Sequence, residues 1–215
     1  MTATQKAIGV IAILHAVGVA GVWLGWAEWI WPLTPLNLLV AGGIAIGMAW
    51  PQRTGWWLVV AASGYVAEVV GVQTGWLFGS YSYSGVLGPR VAGVPVLLGW
   101  MWLLLLQGSR FAVGGRTLSA AVGATLMVAM GALIEPVAIR AGWWAWAEVE
   151  ATWWGLEGFV WAGQTIPHWN FVSWWLVSFV LLLLAPQRAE HPRVWRWLFG
   201  VMAVFFLVLN AIEWT

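Results

Sequence analysis

The sequence contains no cysteine and no aspartate, and its single lysine, Lys6, lies near the start. Without Cys there are no disulfides, thiolate nucleophiles or thiolate metal sites. Without Asp there is no Asp-rich cluster to hold Mg²⁺ on a diphosphate, which argues against a membrane prenyltransferase. A retinal pump needs a Schiff-base Lys in mid-helix, and Lys6 is not so placed. Charge of either sign is scarce: nine Lys plus Arg and eight Glu make up 8% of the 215 residues, against roughly a quarter in an ordinary soluble domain. Three His without close spacing argue against a histidine-box di-iron site, and no G-x-G-x-x-G run offers a dinucleotide site. A net charge of +1 spread over scattered cations makes no stripe for nucleic acid. What is abundant is apolar: 62% hydrophobic residues, 22 Trp and a mean hydropathy of +0.84. The composition is that of an integral membrane protein, read as a single domain over 1-215 with no room for a large extramembrane domain.

Apolar runs and their punctuation predict an all-α fold, a polytopic membrane helical bundle of about seven transmembrane helices, since a span takes about 20 apolar residues. The runs are approximately 7-29, 35-50, 55-73, 93-107, 117-139, 169-185 and 195-213. Thr34-Pro35 reads as an N-cap with Pro at the first helical position, while Pro51 and Pro186 stop the second and sixth runs. The first run reads as a retained helix rather than a signal peptide. Lys6, Arg53, Arg110, Arg116, Arg188, Arg193 and Arg196 fall on one side of this arrangement, and only Arg90 and Arg140 on the other. Cations resist translocation, so the N-terminus is expected in the cytoplasm and the C-terminus outside or in the periplasm. Trp23, Trp26, Trp29, Trp31, Trp143, Trp144, Trp146, Trp153, Trp154 and Trp161 then collect near the outer face. They read either as an aromatic belt at the headgroups or, in part, as a slot for a long, flat, apolar ligand. The 140-168 connection, with Glu148, Glu150 and Glu157, reads as a segment lying on the membrane surface.

Two carboxylates interrupt the runs. Glu68 sits inside the third, with Tyr65 three residues earlier on the same helical face. A carboxyl in hydrocarbon is costly, so it marks either a functional site or a cation's buried partner; the neutral form is favoured there and is a proton donor. Glu135 closes the fifth run, followed by Pro136, which is expected to end or bend the helix; its bland reading is a pair with Arg140. Two such carboxyls in one site supply a proton donor and an ionised acceptor. The Gly-rich stretch Thr74-Gly75 to Pro95 contains Tyr81 and Tyr83. It reads as a loop or as a re-entrant segment over 75-92, in which case Thr74, Tyr81 and Tyr83 approach the carboxyls. Pro167-His168-Trp169-Asn170 opens the sixth run, where Asn170 is a cap or a site residue and His168 an interfacial side chain or a proton relay.

These pieces resemble one family. Glu68 with Gly71 and Thr74-Gly75, Phe78-Gly79-x-Tyr81-x-Tyr83, Leu87-Gly88, Gly93-Val94-Pro95, Glu135-Pro136-Val137-Ala138, Trp144-x-Trp146 and Pro167-x-x-Asn170-Phe171 together look like the small membrane carotenoid biosynthesis proteins. That family includes the CruF-type carotenoid 1',2'-hydratases and the bisanhydrobacterioruberin hydratases. Glu135 stands where many relatives have Asp, and Trp174 where Gly is expected. The resemblance implies cofactor-free, metal-free addition of water to the terminal C=C of an acyclic carotenoid, giving a tertiary alcohol. Glu68 and Glu135 would be the acid and base, unassigned between them. Tyr65, Thr74, Tyr81, Tyr83, His168, Asn170, Trp144 and Trp146 would position substrate or water. The expected partners are an acyclic carotenoid and membrane lipid. Two other readings stay open: an isomerase or cyclase of the same end group, and a non-enzymatic carotenoid or lipid carrier in which both Glu only brace helices.

Overall fold

The computed structural model describes residues 2–49, 55–111, 117–147, 158–161, 163–186 and 193–212. They form an all-α membrane bundle of α1 (Ala3–Trp23), α2 (Ala27–Ile30), a 3-10 turn (Trp31–Leu33), α3 (Thr34–Ala49), α4 (Trp56–Thr74), α5 (Leu97–Arg110), α6 (Thr117–Arg140), α7 (His168–Leu184) and α8 (Arg193–Ala211). Each apolar run read from the sequence contains a helix, although the first is broken after Trp23 and the fourth opens with a short strand at Val94–Pro95 before its helix starts at Leu97. Among the described residues five segments are long and apolar enough to cross a membrane, α2, the 3-10 turn and α3 together making one of them, Ala27–Ala49; α7 is apolar over a shorter length. Arg53, Arg116, Arg188, Glu148, Glu150, Glu157, Trp153 and Trp154 lie outside the described residues.

Local chemistry sets most ends. Thr2 and Gln5 close a capping box on α1. Gly75, at φ 68°, turns the chain out of α4 while its N–H returns to the Gly71 carbonyl, a conformation that favours glycine. After α7 the backbone at Ala185 is extended, as the residue before Pro186 requires. Two expectations are corrected. Thr34 is not an N-cap, because it already has helical backbone angles at the end of the 3-10 turn. Pro136 does not end its helix: α6 continues to Arg140, since proline removes a single backbone donor and packing holds the remaining turns.

The shortest main helix is the most enclosed. Twelve of the 14 residues of α5 are buried, and it packs against α3, α4, α6, α7 and α8, the place of a helix that is apolar all round. Its approach to α4 is very close. A Cβ at Gly64 would lie 2.3 Å from Trp102 Cγ, and one at Gly99 2.7 Å from the Ala61 carbonyl oxygen. Small residues at a crossing let helix backbones meet in this way.

Among the described residues, three two-stranded antiparallel ladders stand between the helices. β2 (Arg90–Val91) pairs with β3 (Val94–Pro95), and β5 (Gly158–Trp161) with β6 (Gln164–Pro167). The third, β1 (Tyr81–Tyr83) with β4 (Trp144–Trp146), joins the α4–α5 connection to the α6–α7 connection. The 140-168 segment is therefore not wholly a surface strip. Trp143, Trp144 and Trp146 are buried within the protein, because the ladder holds this part of the chain across the bundle end, while Phe159, Val160 and Trp161 are exposed. The Trp set divides the same way: Trp23, Trp26, Trp29 and Trp161 face outward, and Trp31, Trp143, Trp144 and Trp146 are interior.

Candidate active site

Alternation along a strand sends every second side chain to the same face. In β1 and β4 the register is Tyr81 opposite Trp146, Ser82 opposite Ala145 and Tyr83 opposite Trp144. Ser82 and Ala145 are exposed, so two phenols and two indoles point inward. They meet two carboxyls rising from below, because α4 and α6 both run toward this end and carry Glu68 and Glu135 in the turn before their last.

Glu68 is 2% exposed. Its Oε2 accepts from the Tyr81 hydroxyl at 2.6 Å and the Tyr83 hydroxyl at 2.8 Å, and its Oε1 accepts from Trp102 Nε1 at 2.9 Å. Glu135 is 4% exposed. Its Oε2 accepts from Trp144 Nε1 at 2.9 Å and Trp146 Nε1 at 3.1 Å, and its Oε1 from Asn170 Nδ2 at 3.0 Å. Each carboxyl thus has three neutral donors. The pairing of Glu135 with Arg140 is corrected: that guanidinium bonds the carbonyls of Pro136 and Leu209 and the Asn210 side chain. Burial pushes the Tyr81 and Tyr83 phenols well above their ordinary range, so both stay protonated.

Both carboxyls line one cavity of about 30 Å³, room for one or two waters at roughly 10–15 Å³ each. Its walls are aromatic and aliphatic. Tyr81 and Trp146 lie 5.1 Å apart, Tyr83 and Trp144 5.8 Å, and Trp102 and Trp174 5.1 Å; Phe78, Leu98, Met101, Leu105 and Ile134 complete the lining. Gly71 makes the approach from above feasible, since a Cβ there would lie 2.5 Å from Phe78 and 2.9 Å from the Tyr81 hydroxyl oxygen. Among the described residues no group of three His, Cys, Asp or Glu is placed to hold a metal.

Of the side chains singled out in the sequence, Glu68, Glu135, Tyr81, Tyr83, Trp144, Trp146 and Asn170 come together here. Asn170 is not the cap of α7; that position is Pro167. Three others are elsewhere. Tyr65 shares a helix face with Glu68, but its hydroxyl donates to the carbonyls of Val91 and Val94 and ties the β2–β3 turn to α4. Thr74 is exposed at the end of α4, bonded to the Val70 carbonyl and the Trp76 N–H, a helix-end role. His168 packs edge-on against Phe159, ring centroids 4.3 Å apart, away from the cavity. Trp102 and Trp174 were not singled out as site residues. The available signal for Trp102 was its place in mid-run, where an indole N–H has no water and must find a partner inside the protein.

The model of the carotenoid biosynthesis protein family matches residues 35–214. The chain belongs to that family. Among curated proteins, the bisanhydrobacterioruberin hydratase of Haloarcula japonica is 29% identical to this carotenoid biosynthesis protein over 131 residues, covering 56% of this chain and 40% of that relative. The match therefore spans well under half the length of the relative. No solved structure matches the chain.

Proposed function

We propose that this carotenoid biosynthesis protein is a hydratase that adds water across the terminal C=C of an acyclic carotenoid end group. The observation that carries the reading is a pair of buried carboxyls, each held by three neutral donors, on one water-sized cavity with aromatic walls. The hydratase name of the relative supports the reaction class. The hydrogen-bond inventory further separates the two carboxyls. Indole N–H groups only donate, so Oε2 of Glu135, facing two of them, is held as an acceptor and suits the ionised form. Tyrosine hydroxyls rotate and accept as readily as they donate, so Oε2 of Glu68 can carry a proton and hand it to a phenol oxygen. Glu68 is accordingly the acid and Glu135 the base.

The Glu68 proton adds to the less substituted alkene carbon with the π pair, leaving a tertiary cation on the other. Oxygen of a cavity water bonds to that cation as the Glu135 carboxylate removes one of the water protons. The sum is alkene plus water to alcohol, and the proton left on Glu135 returns to Glu68 through cavity water. The indole and phenol faces stabilise the cation while it lasts. No cofactor is needed for these steps.

Co-expression with enzymes that build an acyclic carotene, in a host without other hydratases, tests the reading by mass analysis of the pigments. The expected product is heavier by one water. An isomer of unchanged mass would point to the isomerase or cyclase reading instead, and an unaltered pigment in the presence of folded protein to a carrier.

The distribution of cations supports an N-terminus in the cytoplasm, and so a site end, flanked by Arg90 and Arg140, on the outer face. Reporter fusions at Gly88 and Gly142 are expected to read as external. An internal signal at both would reverse the orientation.

A further inference from the structure

A second cavity, about 230 Å³, lies between α1, the Trp31–Leu33 turn, α3 and α8. Apolar and aromatic side chains dominate its wall, including Leu14, Trp31, Trp143, Phe205 and Phe206. None of the chemistry above uses it. It is half as large again as the 150 Å³ that holds a benzene in an engineered apolar cavity, which corresponds to roughly two isoprene units.

Two features connect it with the carboxyl pair. Met101 lines both cavities, so one unbranched, readily rearranged side chain stands between them. Trp143 lines the larger cavity and its neighbour Trp144 the smaller, with their rings 6.3 Å apart. A size argument adds to this. The carboxyl cavity, at about 30 Å³, has no room for the chain behind a reacting end group, so that chain needs a space beside it.

We infer that the α1–α3–α8 cavity is the seat of the isoprenoid chain adjoining the reacting end group, with Met101 moving aside to join it to the carboxyl pair. This rests on the hydratase reading for the identity of the reacting end. Filling the seat is then a selective lesion. In the full-length protein reconstituted in lipid nanodiscs with an acyclic carotene, Leu14→Trp is expected to raise KM by about tenfold or more with kcat within about threefold, the signature of lost binding that is shared by ground and transition states. Val40→Trp, which fills the same cavity from α3, should do the same. Ile13→Trp adds equal bulk at a position 63% exposed and outside the cavity, and should leave KM unchanged. Unaltered KM in both filling variants, with folded protein, overturns the seat and leaves the hydratase reading standing.

If the wild type turns over no carotene, the same variants are compared by pigment retained after purification. Pigment lost on filling supports the seat without the reaction; pigment retained equally, or bound by none of the proteins, overturns it. Extraction of saturated lipid alone from pigment-loaded protein also overturns it.

Discussion

Glu68→Gln is expected to lower carotenoid hydration by about 10²- to 10⁴-fold, the range for loss of a positioned general acid, while the protein remains folded and still takes up pigment. The substitution fits the site. An amide oxygen at Oε1 still accepts from Trp102, and an amide nitrogen at Oε2 can donate to phenol oxygens that turn to receive it. What disappears is the transferable proton. Glu135→Gln should lower hydration comparably but for a different reason, and deuterated water tells the two apart. With Glu68 intact the alkene is still protonated, so the Glu135 variant should place deuterium in recovered or isomerised carotene, whereas the Glu68 variant should place none. Deuterium in the Glu68 variant's carotene, and none in the Glu135 variant's, would exchange the assigned roles.

The largest effect on stability is expected at the α4–α5 crossing. At Gly99 the atom in the way of a side chain is the backbone carbonyl of Ala61, which cannot rotate out of the path as a side-chain tip can. Gly99→Val should therefore cost about 3 kcal/mol or more, at or beyond the upper end for overpacking, and abolish recovery of monodisperse protein from detergent. Gly47→Ala, on α3, is the contrast. A Cβ there meets nothing within 4 Å, so this change should be neutral or raise stability by up to about 1 kcal/mol. Thermal midpoints of the two variants, measured together, decide it: no loss in either would mean that helix propensity, not the closeness of the crossing, governs these glycines, and equal losses would mean that the room around a glycine does not decide its cost.

The helices were legible because hydrocarbon imposes one demand, an apolar run long enough to close its own backbone bonds. Hydropathy alone does not distinguish a helix facing lipid from one facing protein, which is why the central position of α5, and with it Trp102, had to come from packing. The carboxyls were legible for the opposite reason: Glu68 and Glu135 are costly where they stand, so their presence needs an explanation. Tyr81, Tyr83, Trp144 and Trp146 were legible as aromatic residues at every second position, although their meeting in one ladder was not, since β1 and β4 are brought together by helices and not by a turn. Tyr65 and Thr74 show where local spacing misleads. Residues three apart share a helix face, but a phenol is long enough to reach over its neighbour to another partner, and a threonine beside a helix-ending glycine has backbone groups to satisfy first.

The donors of each carboxyl lie in its own stretch of chain. Glu68 is served from 13, 15 and 34 residues downstream and Glu135 from 9, 11 and 35, in both cases by two strand aromatics and one residue of the next helix. An antiparallel ladder relates its two strands by a local two-fold axis. The site is thus built as two half-sites of one design, helix, strand, helix, facing each other across that axis. Symmetry of this kind would make the two carboxyls equivalent, and a hydratase needs them different. The difference is written in the strands, hydroxyls in one and indoles in the other, so that in the proposed hydratase the direction of proton travel would be set by four aromatic side chains outside the spanning helices.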